Sequence, residues 1–325
     1  MLRREFIALV GGAVASPIAA HAQPPAIPTV GFLAPQSPGP SASRVAGFLK
    51  GLSELNYVEG RNVKVEYRWA EGQYERLRMF AEDLVRRQVA VIAATTQDAA
   101  LAAKAATGDI PIVFNVGGDP VKFGLVTSMN RPGGNATGVN MFTSDLQAKR
   151  LGLLHDMVPM ATTIGLLINP SNATAADQLK EVQTSARSLG MTLLIHNAST
   201  ESDIAAAIDS LAQAKAHALL VGADPFLSSR RDQLVALAAK HRLPAIWEWS
   251  DYVEVGGLMS YGTSIVDSYR QVGVYVARVL KGEHPRDLPV VRPVAFDLAI
   301  NLKTAKALGI EVPATLLARA DQVVE

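Results

Sequence analysis

Polar side chains that could bind a small molecule follow the apolar runs of this sequence at regular intervals. They supply hydroxyls, amides and carboxylates, which hold a polar ligand by hydrogen bonds and charge. A helix N-terminus favours a carboxylate and an aspartate opposite it favours an ammonium, so the mixture suits an amino acid or a similar zwitterion. The same residue types also cap helices, so each has a purely structural alternative. The segments are Pro35-Gln36-Ser37, Thr95-Thr96-Gln97, Gly117-Gly118-Asp119-Pro120, Asn169-Pro170-Ser171-Asn172, Ala223-Asp224-Pro225 and Glu248-Trp249-Ser250-Asp251.

The sequence lacks the common catalytic and metal-binding patterns. The histidines after residue 23 stand singly, with no spacing typical of metal ligands. It has no Gly-x-Ser-x-Gly nucleophile motif, no ATPase phosphate-binding loop and no cysteine. We therefore expect no catalytic residue, no metal and no cofactor. An α/β enzyme with an active site of another design is the alternative.

The elements that must position these polar segments alternate between strand and helix along the whole chain. Residues 29–33 form a short run rich in β-formers, which predicts a buried strand, and residues 41–55 repeat apolar positions as an amphipathic helix does. Strands separated by helices of this length form parallel sheets through right-handed crossovers. Ligands bind such sheets beyond the carboxyl ends of the strands, which is where the polar segments fall.

The second half of the sequence repeats the first. Thr-Val-Gly-Phe-Leu at 29–33 is echoed by Thr-Ile-Gly-Leu-Leu at 163–167, and the two runs are 134 residues apart. Pro111 and Pro244 lie in a second matched pair of runs, 133 residues apart. The repeat predicts an α/β fold of two Rossmann-like lobes with parallel sheets.

The repeat also suggests where the lobes begin and end. We assign residues 24–143 and about 257–284 to the N-terminal lobe, and residues 144–256 and about 285–325 to the C-terminal lobe. The last part of the chain thus supplies elements to both lobes, so several segments cross between them. Such crossings act as a multi-strand hinge, because a few residues absorb the rotation while each lobe stays rigid.

Residues 1–23 have the features of an export signal. Arg3 and Arg4 precede an apolar stretch too short to span a bilayer, which ends in the small-x-small cleavage pattern Ala-His-Ala at 20–22. We expect a twin-arginine-type signal peptide and a periplasmic location, reached by the twin-arginine or the Sec route. Without Arg3, Arg4 and Glu5, 29 basic and 29 acidic side chains remain. The chain then has no net positive charge that would attract it to nucleic acid.

An ordered set of segments resembles one known protein family. The segments are Gly47-Phe-Leu-Lys-Gly-Leu52 with Asn56-Tyr-Val-Glu-Gly-Arg-Asn62; Ile110-Pro-Ile-Val-Phe114 with Asp119-Pro120; Arg131-Pro-Gly-Gly-Asn-Ala-Thr-Gly138; Gly257-Leu-Met-Ser-Tyr-Gly262; Leu280-Lys-Gly282 with Leu288-Pro289; and Ile300-Asn301 with Ala307-Leu-Gly309. Together they resemble the ABC-transporter substrate-binding proteins related to the tryptophan/tyrosine-binding group. That family has the type I periplasmic binding-protein fold, and the resemblance covers essentially the whole mature chain.

The resemblance implies binding rather than catalysis, and delivery of the small-molecule ligand to an inner-membrane ABC permease driven by its ATPase. It also implies a monomer that closes its lobes around the ligand. A ligand sensor of the same fold is the alternative. The segment at 247–251 departs from the family pattern, and its Trp247 could stack on a ligand ring or belong to the core. The expected ligand-binding residues are Gln36, Thr95, Thr96, Asp119, Asn140, Asn169, Asp224 and Trp247.

Overall fold

The computed structural model describes residues 27–293 and 295–325. The predicted signal peptide at residues 1–23 lies outside these described ranges. None of the helices described is both long and apolar enough to cross a lipid bilayer. The described chain forms two α/β lobes, each built around a sheet of its own.

The first lobe is built on a five-stranded, entirely parallel sheet. Its elements are β1 (Thr29–Ala34), α1 (Ala42–Glu54), β2 (Lys64–Trp69), α2 (Arg76–Arg86), β3 (Val91–Ala94), α3 (Gln97–Ala106), β4 (Ile112–Val116) and β5 (Ala136–Asn140). The strand order is β2-β1-β3-β4-β5. Strands β3, β4 and β5 are buried at every residue, as expected for a parallel sheet covered on both faces.

The second lobe is built on a seven-stranded sheet in the order β12-β11-β10-β9-β8-β6-β7. Its elements, with the helix α10 that lies between them in the chain, are α4 (Gln147–Met157), β6 (Thr163–Ile168), α5 (Ala175–Ser188), β7 (Thr192–Asn197), α6 (Glu201–Gln213), β8 (Ala218–Val221), α7 (Pro225–Ser229), α8 (Arg231–Lys240), β9 (Ala245–Trp247), α9 (Ser250–Glu254), β10 (Met259–Gly262), α10 (Ile265–Leu280), β11 (Asp297–Asn301), α11 (Leu302–Leu308), α12 (Ala314–Leu317) and β12 (Gln322–Val324). All neighbouring strands are parallel except β10 and β11.

The two sheets repeat one plan. The order β2-β1-β3-β4-β5 of the first sheet corresponds to β7-β6-β8-β9-β10 of the second. Gly31 in β1 and Gly165 in β6 are equivalent, since a Cβ atom on either would lie within 2.8 Å of a leucine, Leu84 of α2 or Leu211 of α6. A glycine at each position lets the helix pack directly on the strand. The prediction of two Rossmann-like lobes with parallel sheets is confirmed.

Helix α10 comes late in the chain but packs on α1 of the first lobe. The two helices approach so closely that glycines replace side chains at the contact. A Cβ atom on Gly47 would lie 2.6 Å from the backbone oxygen of Val266, and Cβ atoms on Gly51 or Gly273 would overlap backbone atoms of the partner helix. Backbone-to-backbone packing of this kind leaves no room for a methyl group.

The predicted lobe boundaries are wrong for two segments. Strand β10 falls in the range assigned to the N-terminal lobe, but it pairs with β9 and β11 in the second sheet. Val291 falls in the range assigned to the C-terminal lobe, but its backbone N–H donates to the oxygen of Gly138 in β5 at 2.8 Å. Backbone hydrogen bonding overrides the sequence boundary in both cases, because a buried strand must pair with a neighbour.

The chain passes between the lobes after β5, after β10 and before β11. Arg150 of α4 is completely buried beside the first two passages. Its Nε donates to the backbone oxygen of Tyr261 at 2.8 Å, and its Nη1 donates to that of Thr143 at 3.1 Å. One guanidinium therefore ties two hinge segments together.

Candidate ligand-binding site

A cavity of about 60 Å³ lies between the lobes, at the carboxyl ends of both sets of strands. It is lined by both lobes, so neither lobe forms it alone. Residues of the first lobe that line it are Gln36, Arg44, Thr95, Thr96, Gln97, Asp98, Asn115, Gly117, Met141, Thr143, Ser144, Ile265 and Tyr269. Those of the second lobe are Asn172, Thr174, Ala223, Asp224, Pro225, Ser228, Glu248 and Trp249.

Four of the eight predicted residues line this cavity, and three of them belong to the first lobe. Gln36 follows β1, and Thr95 and Thr96 follow β3. The hydroxyl of Thr95 donates to the backbone oxygen of Leu33 at 3.2 Å, which anchors the turn. Thr96 caps α3 by accepting the N–H of Ala99 at 3.3 Å. Gln97 and Asp98, the first two residues of α3, also line the cavity, so the N-terminus of this helix lies beside it.

The fourth residue, Asp224, is buried and already has several hydrogen-bond donors. It caps α7 by accepting the N–H of Leu227 at 2.8 Å, and it accepts amide N–H groups from Asn172 at 2.9 Å and Asn169 at 3.2 Å. The Tyr74 hydroxyl of the first lobe donates to it at 2.7 Å. Burial raises its pKa, whereas these donors lower it. Asp224 therefore helps to hold the lobes together.

The other four predicted residues do not line the cavity. The side-chain amide of Asn169 donates to the Asp224 carboxylate. Asn140 accepts the N–H of Phe142 at 3.0 Å in the turn after β5. Asp119 is exposed and accepts the N–H of Val121 in its own turn at 2.8 Å. These side chains form local hydrogen bonds, which is the purely structural role that the sequence also allowed for them.

Trp247 is the last residue of β9 and packs inside the second lobe. Its ring stacks on Tyr252 with a centroid distance of 4.7 Å and an interplanar angle of 10°. The cavity is lined instead by the two residues that follow the strand, Glu248 and Trp249. Trp247 does not line the cavity because its ring is packed against Tyr252 inside the lobe, whereas the residues after the end of β9 reach the cavity wall.

The charged cavity residues Arg44, Asp98 and Glu248 are not among the predicted ones. Arg44 lies on α1 one turn before the buried Phe48, and an arginine on the buried face of a helix was a signal in the sequence. Its guanidinium is 5% exposed and donates to the Ser228 hydroxyl of the second lobe at 2.8 Å. Glu248 belongs to one of the polar segments that follow the strands and Asp98 follows another, but nothing in their spacing distinguishes them from capping residues.

Several polar atoms that face the cavity region have no hydrogen-bond partner among the described residues. They are both side-chain polar atoms of Gln97, Oδ2 of Asp98, Oδ1 of Asn115 and Oγ of Ser144. Native proteins pair more than about 90% of buried polar groups. A cluster of unpaired ones around one cavity indicates a site that a polar molecule completes.

Burial strongly perturbs two of the carboxyls. Desolvation raises the pKa of Asp98 to about 7, with a further increase from the charge of Asp224, although the N–H of Ala173 opposes the shift. Desolvation raises the pKa of Glu248 to about 8, and Arg150 and Arg44 oppose that shift. Asp98, Asp224 and Glu248 do not form a group that could hold a metal ion among the described residues.

Acidification is expected to favour the closed arrangement of the lobes. Asp98 and Glu248 hold protons more tightly when buried, and they regain their ordinary pKa values when the lobes separate. The closed form is therefore favoured below about pH 4, and this advantage is lost as pH rises through 7 and 8. One pKa unit corresponds to about 1.4 kcal/mol, so the closed-to-open ratio should fall at least tenfold between pH 5 and 9. Small-angle X-ray scattering of the ligand-free protein measures this as a larger radius of gyration.

The matched control is the double variant Asp98→Asn/Glu248→Gln, which keeps the shape of both side chains and removes both titrations. Its radius of gyration should vary much less between pH 5 and 9. An equal pH response in the wild-type protein and this variant would show that other groups control the opening.

The lobes lie close together in this structure. Cross-lobe hydrogen bonds join Tyr74 to Asp224, Arg44 to Ser228, and the N–H of Ala173 to the Asp98 carboxylate at 3.0 Å. Lys122 and Asp177 form an ion pair at the rim, at 2.5 Å. These contacts are those of a closed cleft.

Comparison with known proteins finds relatives that are similar in sequence and in structure over most of the chain. The chain is 29% identical over 265 residues to the tyrosine-binding protein of Clostridioides difficile strain R20291, covering 82% of this chain and 76% of that protein. It is similar to an ABC domain from Streptococcus pneumonia in complex with L-Trp, with a TM-score of 0.82 and 27% identity over 91% of this chain and 99% of that one.

It is also similar to a ligand-free, open substrate binding protein with adhesive properties from Clostridium difficile, with a TM-score of 0.63 and 26% identity over 92% of this chain and 99% of that one. The two structures are almost equally distant in sequence, yet the ligand-bound one superposes much better. The difference agrees with the closed arrangement described above.

A family model described as ABC transporter substrate binding protein matches residues 36–324, which is most of the chain and includes both lobes and the cavity. The chain therefore belongs to the ABC transporter substrate-binding protein family.

Proposed function

We propose that this protein captures an α-amino acid or a closely similar zwitterion by closing its two lobes, and presents it to an ABC permease without making or breaking a covalent bond. The observation that carries the proposal is the set of unpaired polar atoms from Gln97, Asp98, Asn115 and Ser144 around the interlobe cavity. We further propose that the protein acts as a monomer in the periplasm, after export through the leader at residues 1–23, and that a separate ATPase drives the permease.

The proposed place of the ligand's amino and carboxylate groups is the part of the cavity next to the start of α3, which we call the zwitterion end. Oδ2 of Asp98 is free to accept a hydrogen bond from an ammonium group. The N-terminus of α3 and the Ser144 hydroxyl can donate to a carboxylate. Cβ atoms on Gly117 and Gly118 would lie 3.8 Å from Oγ of Ser144 and 3.4 Å from Oε1 of Gln97, so the turn after β4 lies against both side chains.

Closure brings the second lobe over this end. The N–H of Ala173 reaches Oδ1 of the Asp98 carboxylate, and Thr174 lies against Gly118. A bound zwitterion would thus lie between groups of both lobes. It stabilises the closed form because it binds that form more tightly than the open one. Two of the relatives described above are named for tyrosine and L-Trp. Both ligands are amino acids, which supports the same class here.

We expect a panel of the common L-amino acids to contain at least one that raises the melting temperature and binds in calorimetry. At 100 times its Kd, a ligand stabilises the folded form by about 2.7 kcal/mol, which a thermal-shift assay detects readily. Asp98→Asn should weaken the tightest of these ligands by about 30-fold, because a hydrogen bond to a charged group contributes about 2 kcal/mol.

Asp119→Asn is the matched control, because Asp119 is an aspartate of the same lobe that lies outside the cavity. It should change the Kd less than twofold. The proposal fails if no amino acid in the panel binds, or if Asp119→Asn weakens binding as much as Asp98→Asn.

A further inference from the structure

The cavity wall contains a second group of polar side chains, which we call the distal end. It is formed by Arg44 of α1 and Glu248 after β9, with Ser228, Trp249 and Tyr269 around them. The hydrogen bond from Arg44 to Ser228 closes this end across the lobes at 2.8 Å. A ligand that placed a hydrocarbon or an aromatic ring here would not need these polar side chains.

Arg44 has unused donors in a buried place. Its guanidinium carries five N–H groups, and its hydrogen bond to Ser228 uses one of them. No carboxylate of the described residues lies within 4.0 Å of its nitrogens. A buried guanidinium without an ionic partner is unfavourable, so this arrangement favours an acceptor supplied from the cavity.

Glu248 offers the complementary group. Its side chain is buried, at 7% exposed, and none of the described residues forms a hydrogen bond with its carboxyl. Arg44 acts on it through charge but does not pair with it directly. The two side chains therefore line the same cavity as a donor and an acceptor that are not paired with each other.

The size of the cavity favours a compact ligand. Its volume of about 60 Å³ is less than half of the roughly 150 Å³ of a cavity that accepts benzene. A short, narrow side chain needs less additional space than an indole or phenol ring does.

We propose that the ligand is a small α-amino acid whose side chain ends in a neutral carboxamide, with its oxygen accepting from Arg44 and its N–H group donating to Glu248. This inference rests on the proposed function, since it assumes that the zwitterion end holds the amino and carboxylate groups. Arg44 and Glu248 are then the residues that determine specificity.

Other side-chain ends fit this pair less well. An ammonium group would face the Arg44 guanidinium and be repelled by it. A carboxylate could pair with Arg44 only while Glu248 stays protonated, whereas a carboxamide N–H group can donate to Glu248 in either protonation state. A hydrocarbon would leave both groups buried without a partner, and sites built to form hydrogen bonds strongly reject analogues that lack them. A carboxamide has both an acceptor and a donor in one plane and no net charge.

The test compares L-glutamine and L-asparagine with L-methionine, L-glutamate, L-lysine, L-tyrosine and L-tryptophan by isothermal titration calorimetry on the full mature chain. We expect one of the two carboxamides to bind at least 100-fold more tightly than L-methionine, whose side chain is of similar length. Tighter binding of any other member of the set overturns the carboxamide assignment but leaves the proposed function standing. Absence of binding by every common amino acid overturns both.

Variants of the distal end separate specificity from general binding. Arg44→Met and Glu248→Met should each weaken the carboxamide ligand at least 10 times more than they weaken L-methionine, because L-methionine loses only the closing bond from Arg44 to Ser228, whereas the carboxamide also loses its own contact. Arg230→Met and Glu254→Gln, which lie outside the cavity, are the controls and should change neither Kd by more than twofold.

Circular dichroism and melting temperature verify that each variant is folded. If either distal variant is unfolded, Arg44→Lys and Glu248→Gln take its place with the same comparison of the two ligands. An equal loss for the carboxamide and for L-methionine would overturn the specificity role of the distal end.

Discussion

Gly51→Ala is expected to destabilise the protein by about 3 kcal/mol or more. A Cβ atom at this position would overlap the carbonyl oxygen of Arg270 and lie 2.9 Å from the backbone nitrogen of Val274. Both atoms belong to the backbone of α10, so no side-chain rotation relieves the overlap, and the helices must separate. Overpacking of a tight contact typically destabilises by 1–3 kcal/mol, and by more where the backbone must move. Urea unfolding measures the effect as a lower midpoint at an unchanged slope.

Gly152→Ala is the matched control for this prediction. Gly152 is also a helical glycine, in α4, but a Cβ atom there meets nothing within 4 Å. The substitution should stabilise the protein by about 0.5–1 kcal/mol, because alanine loses less backbone freedom in a helix than glycine does. Similar effects for Gly51→Ala and Gly152→Ala would contradict the close approach of α1 and α10.

Arg150→Met is expected to destabilise the protein by about 3 kcal/mol and to loosen the hinge. The methionine side chain fills similar space but leaves the backbone oxygens of Tyr261 and Thr143 without their donor. Hydrogen bonds from a charged group contribute about 1.5–3 kcal/mol each, whereas removal of a buried guanidinium returns part of its desolvation cost. Burial lowers the pKa of Arg150 to about 10, a sign that this desolvation is substantial. Urea unfolding measures the stability, and small-angle scattering measures the spread of lobe arrangements.

Lys149→Met is the control for Arg150→Met, since it removes a neighbouring positive charge from an exposed position of the same helix. It should change the free energy of unfolding by no more than about 0.5 kcal/mol. If the two variants unfold at the same urea concentration, the bonds from Arg150 to the hinge segments do not hold the lobes as described.

The fold was predictable from the sequence because its signals are local and repeated. The matching runs at 29–33 and 163–167 form β1 and β6, and both strands are buried and lie second from one edge of equivalent sheets. The boundaries of the lobes were less accessible, since strand β10 and the segment around Val291 look like any short extended run. Their sheets are decided by hydrogen-bond partners far away in the chain.

The candidate site was only partly predictable. The rule that ligands lie beyond strand ends selected Gln36, Thr95, Thr96 and Asp224, because it depends only on strand positions. It could not select Arg44, which lies on the helix α1 rather than after a strand and contacts Ser228 of the other lobe. Nor could it decide between Trp247 and Trp249, which lie two residues apart at the end of β9.

The contact between α1 and α10 has a consequence for the order in which the chain can fold. The ion pair from Arg270 to Glu54 joins residues 216 positions apart, and closing so long a loop slows folding even where it costs little stability. During synthesis, the five strands of the first sheet emerge long before the helix that covers one side of them. The nascent lobe therefore keeps an apolar surface uncovered until nearly the whole polypeptide is made, and a fragment ending after β5 would keep that surface permanently exposed.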